Sequence, residues 1–157
     1  MTWRPDLTVA AILQHDDGRF LVVEERIGDA IVFNQPAGHV EDGESIIAAV
    51  VRETLEETAW QMLPRHLVGL YLWRNPVNGR STLRVAISGD LVAHEASRRL
   101  DHGILAAHWM SREALLAQPN RLRSPLVLRC IDDYLAGRRF GLDALTHMAL
   151  QPVAQSA

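Results

Sequence analysis

The sequence predicts an α+β fold or an α/β/α sandwich, in a single domain over residues 1–157. Three observations lead there. Short runs rich in β-branched residues recur between Gly, Asn and Pro turn signals, so much of the chain reads as strands joined by hairpins. Helical patterns interrupt these strands in only a few places, which is unlike the strict alternation of a doubly wound parallel sheet. Hydrophobic residues make up 48% of the 157 positions, enough for one sizeable core.

Residues 7–14 and 20–25 read as the first two strands, and the Asp17-Gly18 pair between them predicts a hairpin. Residues 26–34 read as a loop and then a short apolar strand, and Gln35-Pro36-Ala37-Gly38 breaks regular structure before a helix within 38–60. Pro64 is expected to end whatever extends past Trp60. Residues 67–74 and 81–92 then form a second hairpin around the turn-rich stretch 75–79. The polar residues 93–103 read as a loop suited to wall a site, and 106–110 as a last short strand. Ser111 is placed to cap a helix through Gln118. Ser124-Pro125 opens a helix over 125–136 that ends at Gly137 and buries Leu126, Leu128, Ile131 and Leu135 in part. Residues 146–157 read as a weakly ordered tail. Neither an internal repeat nor a low-complexity segment is present.

The helix within 38–60 carries the chemistry. On a wheel of roughly 100° per residue Glu53, Glu56 and Glu57 share one face within about one turn. Ile47, Val51, Thr54, Leu55 and Thr58 fill the arc expected to pack on the core. Like charges three or four residues apart destabilise a helix by roughly 0.2–0.5 kcal/mol per pair, and acids in the last turn also oppose the helix dipole. For an isolated pair of glutamates a solvated acidic face would be a sufficient reading. Three stacked glutamates after a glycine turn are better explained by a hard divalent cation bound through oxygen.

Composition narrows the partners. A formal charge of −3 and a pI near 6.1 give no basic footprint for nucleic acid. The single Cys130 cannot form an internal disulfide and, among apolar neighbours, reads as inert packing. Neither an apolar stretch of about 18 residues nor a signal-type N-terminus is seen, so no membrane association is expected and a cytoplasmic location is. Oligomeric state is not legible.

Gly38, Glu44, Arg52-Glu53 and Glu56-Glu57 stand at the spacing of the charged skeleton of the Nudix box, and the chain resembles the Nudix hydrolases. The strands around the box and the helix after the last strand also resemble the Nudix α/β/α sandwich, which implies a mixed sheet. Two positions depart from the pattern. Thr54 replaces an aliphatic residue on the inner arc, and Ala59 replaces a Gly suited to a left-handed helix end. Residues 20–25, 33–41 and 122–127 are further similar to the small bacterial phosphatases of the NudJ type.

The resemblance implies hydrolysis of a small-molecule pyrophosphate. The substrates it points to are nucleoside di- and triphosphates and thiamine-pathway pyrophosphates such as hydroxymethylpyrimidine pyrophosphate. The alternatives are ADP-ribose, nucleotide sugars or modified nucleoside triphosphates, and more remotely a non-catalytic nucleotide-binding module. Mg²⁺ is the expected cofactor, with Mn²⁺ a candidate substitute. Glu53, Glu56, Glu57 and the Gly38 carbonyl would hold it, and Arg52 paired with Glu44 would keep the loop against the helix. Glu56, or a carboxylate or imidazole from 93–103, would take a proton from the attacking water. An EF-hand reading fails, because no loop alternates Asp or Asn before a Gly and a distal Glu.

Outside the box the candidates for substrate binding are His39, Arg26, Arg74, Arg84, Asp101 and His102. Each has a plainer reading: a lone His beside a loop is commonly a spectator, and strand arginines are commonly solvated. Trp73 could stack a planar ring or simply fill core.

Overall fold

The protein is described by a computed structural model over residues 2–149. β1 (Asp6–Ile12), β2 (Phe20–Ile27), β3 (Ala30–Asn34) and β4 (Ala37–His39) precede α1 (Ile46–Thr58). β5 (Trp60–Arg74), β6 (Ser81–His94), β7 (Ile104–Met110), α2 (Arg112–Leu116) and α3 (Leu126–Leu135) follow. The strands lie in two sheets, ordered β4-β1-β6-β5 and β3-β2-β7, and the β1–β6 pairing is parallel among otherwise antiparallel ladders.

Side-chain alternation along β1 sends successive residues to opposite faces and so builds two cores. Val9, Ala11 and Leu13 pack with Ala49 and Val50 of α1. Ile12 packs instead with Val127, Cys130 and Ile131 of α3. The two helices therefore cover opposite faces, giving the mixed-sheet α/β/α arrangement that the sequence predicts.

Several local expectations change. The turn after β1 forms, with His15 N–H donating to Arg19 O at 2.8 Å, but β1 and β2 then part into different sheets. Parallel pairing of β1 with β6 claims the edge that a simple hairpin would have used. The stretch at Ala37–Gly38 is not a bare break; it is β4, hydrogen-bonded to β1. Residues 26 and 27 belong to β2, not to a loop, and a tight turn at Gly28 leads to β3.

Pro64 does not end the segment after Trp60. It lies inside β5 at a register shift, tolerated because β5 is an edge strand whose outer side demands no donor. β6 runs to His94, which shortens the expected loop, and the Asn75–Arg80 turn between β5 and β6 closes as predicted.

Ser111 caps α2 through Ala114 N–H at 3.1 Å, but the helix stops at Leu116. Ser124 Oγ accepts from Leu126 N–H at 3.2 Å, and Pro125 is already helical at φ −59. On α3 Leu126, Val127, Cys130 and Ile131 are buried, whereas Leu135 is exposed. Of the expected tail, residues 150–157 lie outside the described residues, and Leu145 just before it packs on the α1-side core.

The face of α1 also differs from the wheel. Its buried residues are Ala49, Val50, Glu53, Thr54, Glu57 and Thr58, while Val51 and Leu55 are only half-buried. Two of the glutamates thus sit in the middle of the inward arc. Thr54 is satisfied there, its hydroxyl donating to Val50 O at 2.7 Å. Ala59 ends the helix at φ 60, the only non-glycine with positive φ among the described residues. A left-handed alanine costs roughly 1–2 kcal/mol, against about 0.8 kcal/mol for the buried methyl that glycine would lack. Ala59→Gly is expected to raise stability by up to about 1 kcal/mol in urea denaturation, with activity unchanged.

Candidate active site

Arg52 is the centre of the charged arrangement. Its Nε donates to Glu44 Oε1 at 2.7 Å and its Nη2 to Glu44 Oε2 at 3.0 Å, a two-pronged pair. Nη2 also donates to His39 O at 3.0 Å, and Nη1 to Glu53 Oε1 at 2.9 Å and to Glu56 Oε2 at 3.2 Å. One guanidinium thereby ties the loop after β4 to α1. Ser45 caps the helix start through Ala48 N–H at 3.0 Å, and Glu44 Oε2 accepts from Glu41 N–H, which fixes the loop's other end. The hydrogen bond to Glu44 raises the Arg52 pKa and lowers that of Glu44, so both stay ionised.

Glu53 and Glu57 are 8% and 7% exposed and line a cleft of about 450 Å³ together with Ala37, Gly38 and His39 of β4. Ala37 N–H donates to Glu57 Oε2 at 2.9 Å. Gly38 lies so close that a Cβ there would overlap the Glu53 carboxylate, which explains glycine at this position. Burial pushes Glu57 up to about 9, opposed by the Ala37 N–H and reinforced by the charges of Glu53, Glu25 and Asp101. Burial likewise raises Glu53, against the pull of Arg52. Both carboxylates therefore want positive charge that the protein only partly supplies.

Among the described residues no three carboxylates or imidazoles form a ready cation cage. Arg52 holds Glu53 and Glu56, and Glu57 faces β4. Glu56 opens onto a neighbouring shallow cleft with Asp101, His102, Arg98 and Arg99. The residues nonetheless fit a hard divalent ion: the donors are all oxygen, the missing side chain at Gly38 lets the Glu53 carboxylate lie against β4, and Glu57 is buried among acids with no cationic side chain bonded to it.

The remaining candidates divide. Arg84 is 6% exposed and lines the main cleft with His39 and Trp73. Asp101 reaches α1 through its N–H to Glu56 O at 2.9 Å, and its carboxylate accepts from His102 N–H. Arg26 and Arg74 are exposed and line neither cleft; Arg74 donates to Gly79 O across the β5–β6 turn. Sequence reading missed Glu25, Asn34, Arg123 and Thr8, which also line the cleft. Their only advance signal was that Glu25, Asn34 and Arg123 fall inside the three stretches of closer family likeness.

A pH dependence follows from the raised carboxylates. Between the ordinary value of 4.5 and about 9 the folded protein keeps a proton on Glu57 that the unfolded chain has released. The resulting stabilisation is complete below 4.5 and is lost as pH rises through that window, at up to about 1.4 kcal/mol per pH unit for one proton. Urea denaturation in chelator is expected to show stability falling from pH 5 to 9, and saturating Mg²⁺ is expected to flatten the slope.

Residues 4–129 match the NUDIX domain family model. The chain is 36% identical over 143 residues to phosphatase NudJ of Escherichia coli strain K12, covering 91% of this chain and 92% of that protein. It superposes on a NUDIX hydrolase from Nitrosomonas europaea with a TM-score of 0.89 at 46% identity, covering 92% of this chain and 98% of that one. The fold is shared more widely. The NUDIX domain of Shewanella oneidensis NrtR, solved with ADP ribose, aligns at a TM-score of 0.68 and 17% identity over 87% of this chain and 90% of that one. With its box residues gathered by Arg52 and its sheet flanked by helices on both faces, this chain belongs to the Nudix family and is a hydrolase of it.

Proposed function

We propose that the protein is a Mg²⁺-dependent phosphatase of the NudJ kind, acting on the phosphoric anhydride of nucleoside di- and triphosphates and of thiamine-pathway pyrophosphates. The observation that carries this reading is the pair of buried carboxylates, Glu53 and Glu57, lining the main cleft beside Gly38, with the cationic Arg123 lining the same cleft. A pyrophosphate needs both, cation-holding acids at the reacting phosphorus and fixed positive charge for the remaining oxygens.

Glu53, Glu57 and the Gly38 carbonyl would hold the cation from within the cleft, and Glu56 from the neighbouring cleft. When bound, Mg²⁺ neutralises phosphoryl oxygens and makes water more acidic. The chain's own residues do the rest. Arg52 positions Glu53 and Glu56 by hydrogen bonds to both. Glu56, the least enclosed of the three, would take the proton from the attacking water, with Asp101 beside its backbone as the other carboxylate in reach. His39 borders the entrance, its carbonyl fixed by Arg52. Such a protein would work as one domain in the cytoplasm, on small molecules and not on nucleic acid or membrane.

The test is phosphate release from nucleoside di- and triphosphates, hydroxymethylpyrimidine pyrophosphate, ADP-ribose and a nucleotide sugar, with Mg²⁺ and with chelator. Release from the first three substrates only, and only with metal, is expected. Preference for ADP-ribose or the nucleotide sugar would replace the substrate assignment, and inactivity on all would favour a binding module.

A further inference from the structure

Among the described residues three buried side-chain polar atoms have no hydrogen-bond partner: Thr8 Oγ1, Glu25 Oε1 and Arg84 Nε. All three residues line the main cleft. Buried polar groups are almost always satisfied, so three exceptions gathered in one cleft call for a ligand that pairs with them.

Strand register explains how they meet. Thr8 of β1 pairs with Arg84 of β6, so both side chains stand on one sheet face, and two residues along the same strands Asp6 pairs with Thr82, which in turn faces Trp73 of β5. Arg84 is enclosed without a carboxylate partner in hydrogen-bond contact. Its Nη1 donates to Gln35 Oε1 at 3.0 Å and its Nη2 to Asn34 Oδ1 at 3.2 Å, both neutral. Gln35 is itself fixed by donating to Val127 O at 2.7 Å. Asn34 and Glu25 stand on the paired strands β3 and β2, which brings Glu25 into the same cleft as Arg84. Arg123 Nε comes to 3.5 Å from Glu25 Oε1, within ion-pair reach but outside hydrogen-bond geometry.

A bare phosphate suits this corner poorly, because an anion drawn to Arg84 would meet the buried Glu25 carboxylate. A ligand offering an acceptor to Arg84 and a donor to Glu25 satisfies both. Trp73, half-buried in the same cleft and stacked on no other ring among the described residues, adds a flat apolar surface. We propose that Glu25, Arg84 and Trp73, with Thr8 beside them, form a subsite that reads the organic end of the substrate as a planar nitrogen heterocycle. The Arg84 guanidinium donates to an acceptor on its edge, the Glu25 carboxylate accepts from the adjoining N–H, and Trp73 stacks on the ring. The inference rests on the reading of the cleft as a pyrophosphate site.

Calorimetric binding in chelator, without metal, tests the subsite apart from hydrolysis. The probes are cytidine 5′-monophosphate, ribose 5-phosphate and inorganic phosphate. The wild-type protein is expected to bind the nucleotide at least about tenfold tighter than the sugar phosphate, the scale of one good donor–acceptor pair. Glu25→Met is expected to shrink that advantage to about twofold or less with an unchanged thermal midpoint, and Trp73→Leu to reduce it as well. Equal binding of nucleotide and sugar phosphate, complete mimicry by inorganic phosphate, or an undiminished advantage in Glu25→Met would overturn the proposal. If Mg²⁺-dependent phosphate release persists while the nucleotide advantage is missing, the subsite alone is wrong. If the advantage is present without hydrolysis, the pyrophosphatase reading is wrong and the subsite stands.

Discussion

Glu57→Gln is expected to cut turnover by at least about 100-fold while making the metal-free protein more stable above neutral pH. Losing a group that merely orients a ligand already costs 10–100-fold in metal affinity, and Glu57 is proposed as a ligand itself. The gain in stability follows from the same burial. Glu57 is pushed up to about 9, so at pH 8 the folded state must either hold a proton or keep a buried charge against Glu53 and Glu25. A glutamine keeps a carbonyl oxygen for the Ala37 N–H and removes the charge. Steady-state phosphate release and urea denaturation, read on the same preparation, check both halves. Near-normal turnover would remove Glu57 from the site, and unchanged stability at pH 8 would mean its charge is already compensated. Sites that sacrifice stability for function behave in this way.

Gly38→Ala is expected to lower kcat by about 100-fold with little loss of folding. The added methyl would overlap the Glu53 carboxylate, and Glu53 has little freedom to move because Arg52 holds one of its oxygens and the helix face around it is buried. A misplacement of about 1 Å is enough for a loss of that size. The backbone itself is not strained by the change, since Gly38 is not among the glycines at positive φ and sits in extended β4. A fall in kcat with an intact melting transition supports the account. A protein that fails to fold would show instead that the contact is structural.

These two residues also show what the sequence carried. The acidic helix was legible because its spacing is local: residues three and four apart on a helix meet whatever the rest of the chain does. Arg52 and Glu44 were legible by family resemblance, and the structure joins them by two hydrogen bonds. What the wheel could not reveal was direction. It placed the carboxylates opposite the packing face, yet Glu53 and Glu57 point inward because β4 lies against that side of α1 and presents Ala37 N–H and a side-chain-free Gly38. The opposite wall, with Thr8, Glu25, Asn34 and Arg84, depends on which strands pair. Parallel pairing of β1 with β6 sets Thr8 beside Arg84, and no turn signal announces it. The same pairing misled the reading of β1 and β2 as a plain hairpin, since the Asp17-Gly18 turn is local and the sheet partition is not.

The cleft between α1 and β4 is proposed to hold a divalent cation through Glu53 and Glu57. Mn²⁺ binding, followed by electron paramagnetic resonance on the wild-type protein and on Glu57→Gln and competed with Mg²⁺, tests it most directly. Wild-type protein is expected to take up Mn²⁺, Mg²⁺ to displace it, and Glu57→Gln to weaken binding by at least about tenfold. Equal Mn²⁺ affinity in the two proteins, or none in the wild type, would contradict it.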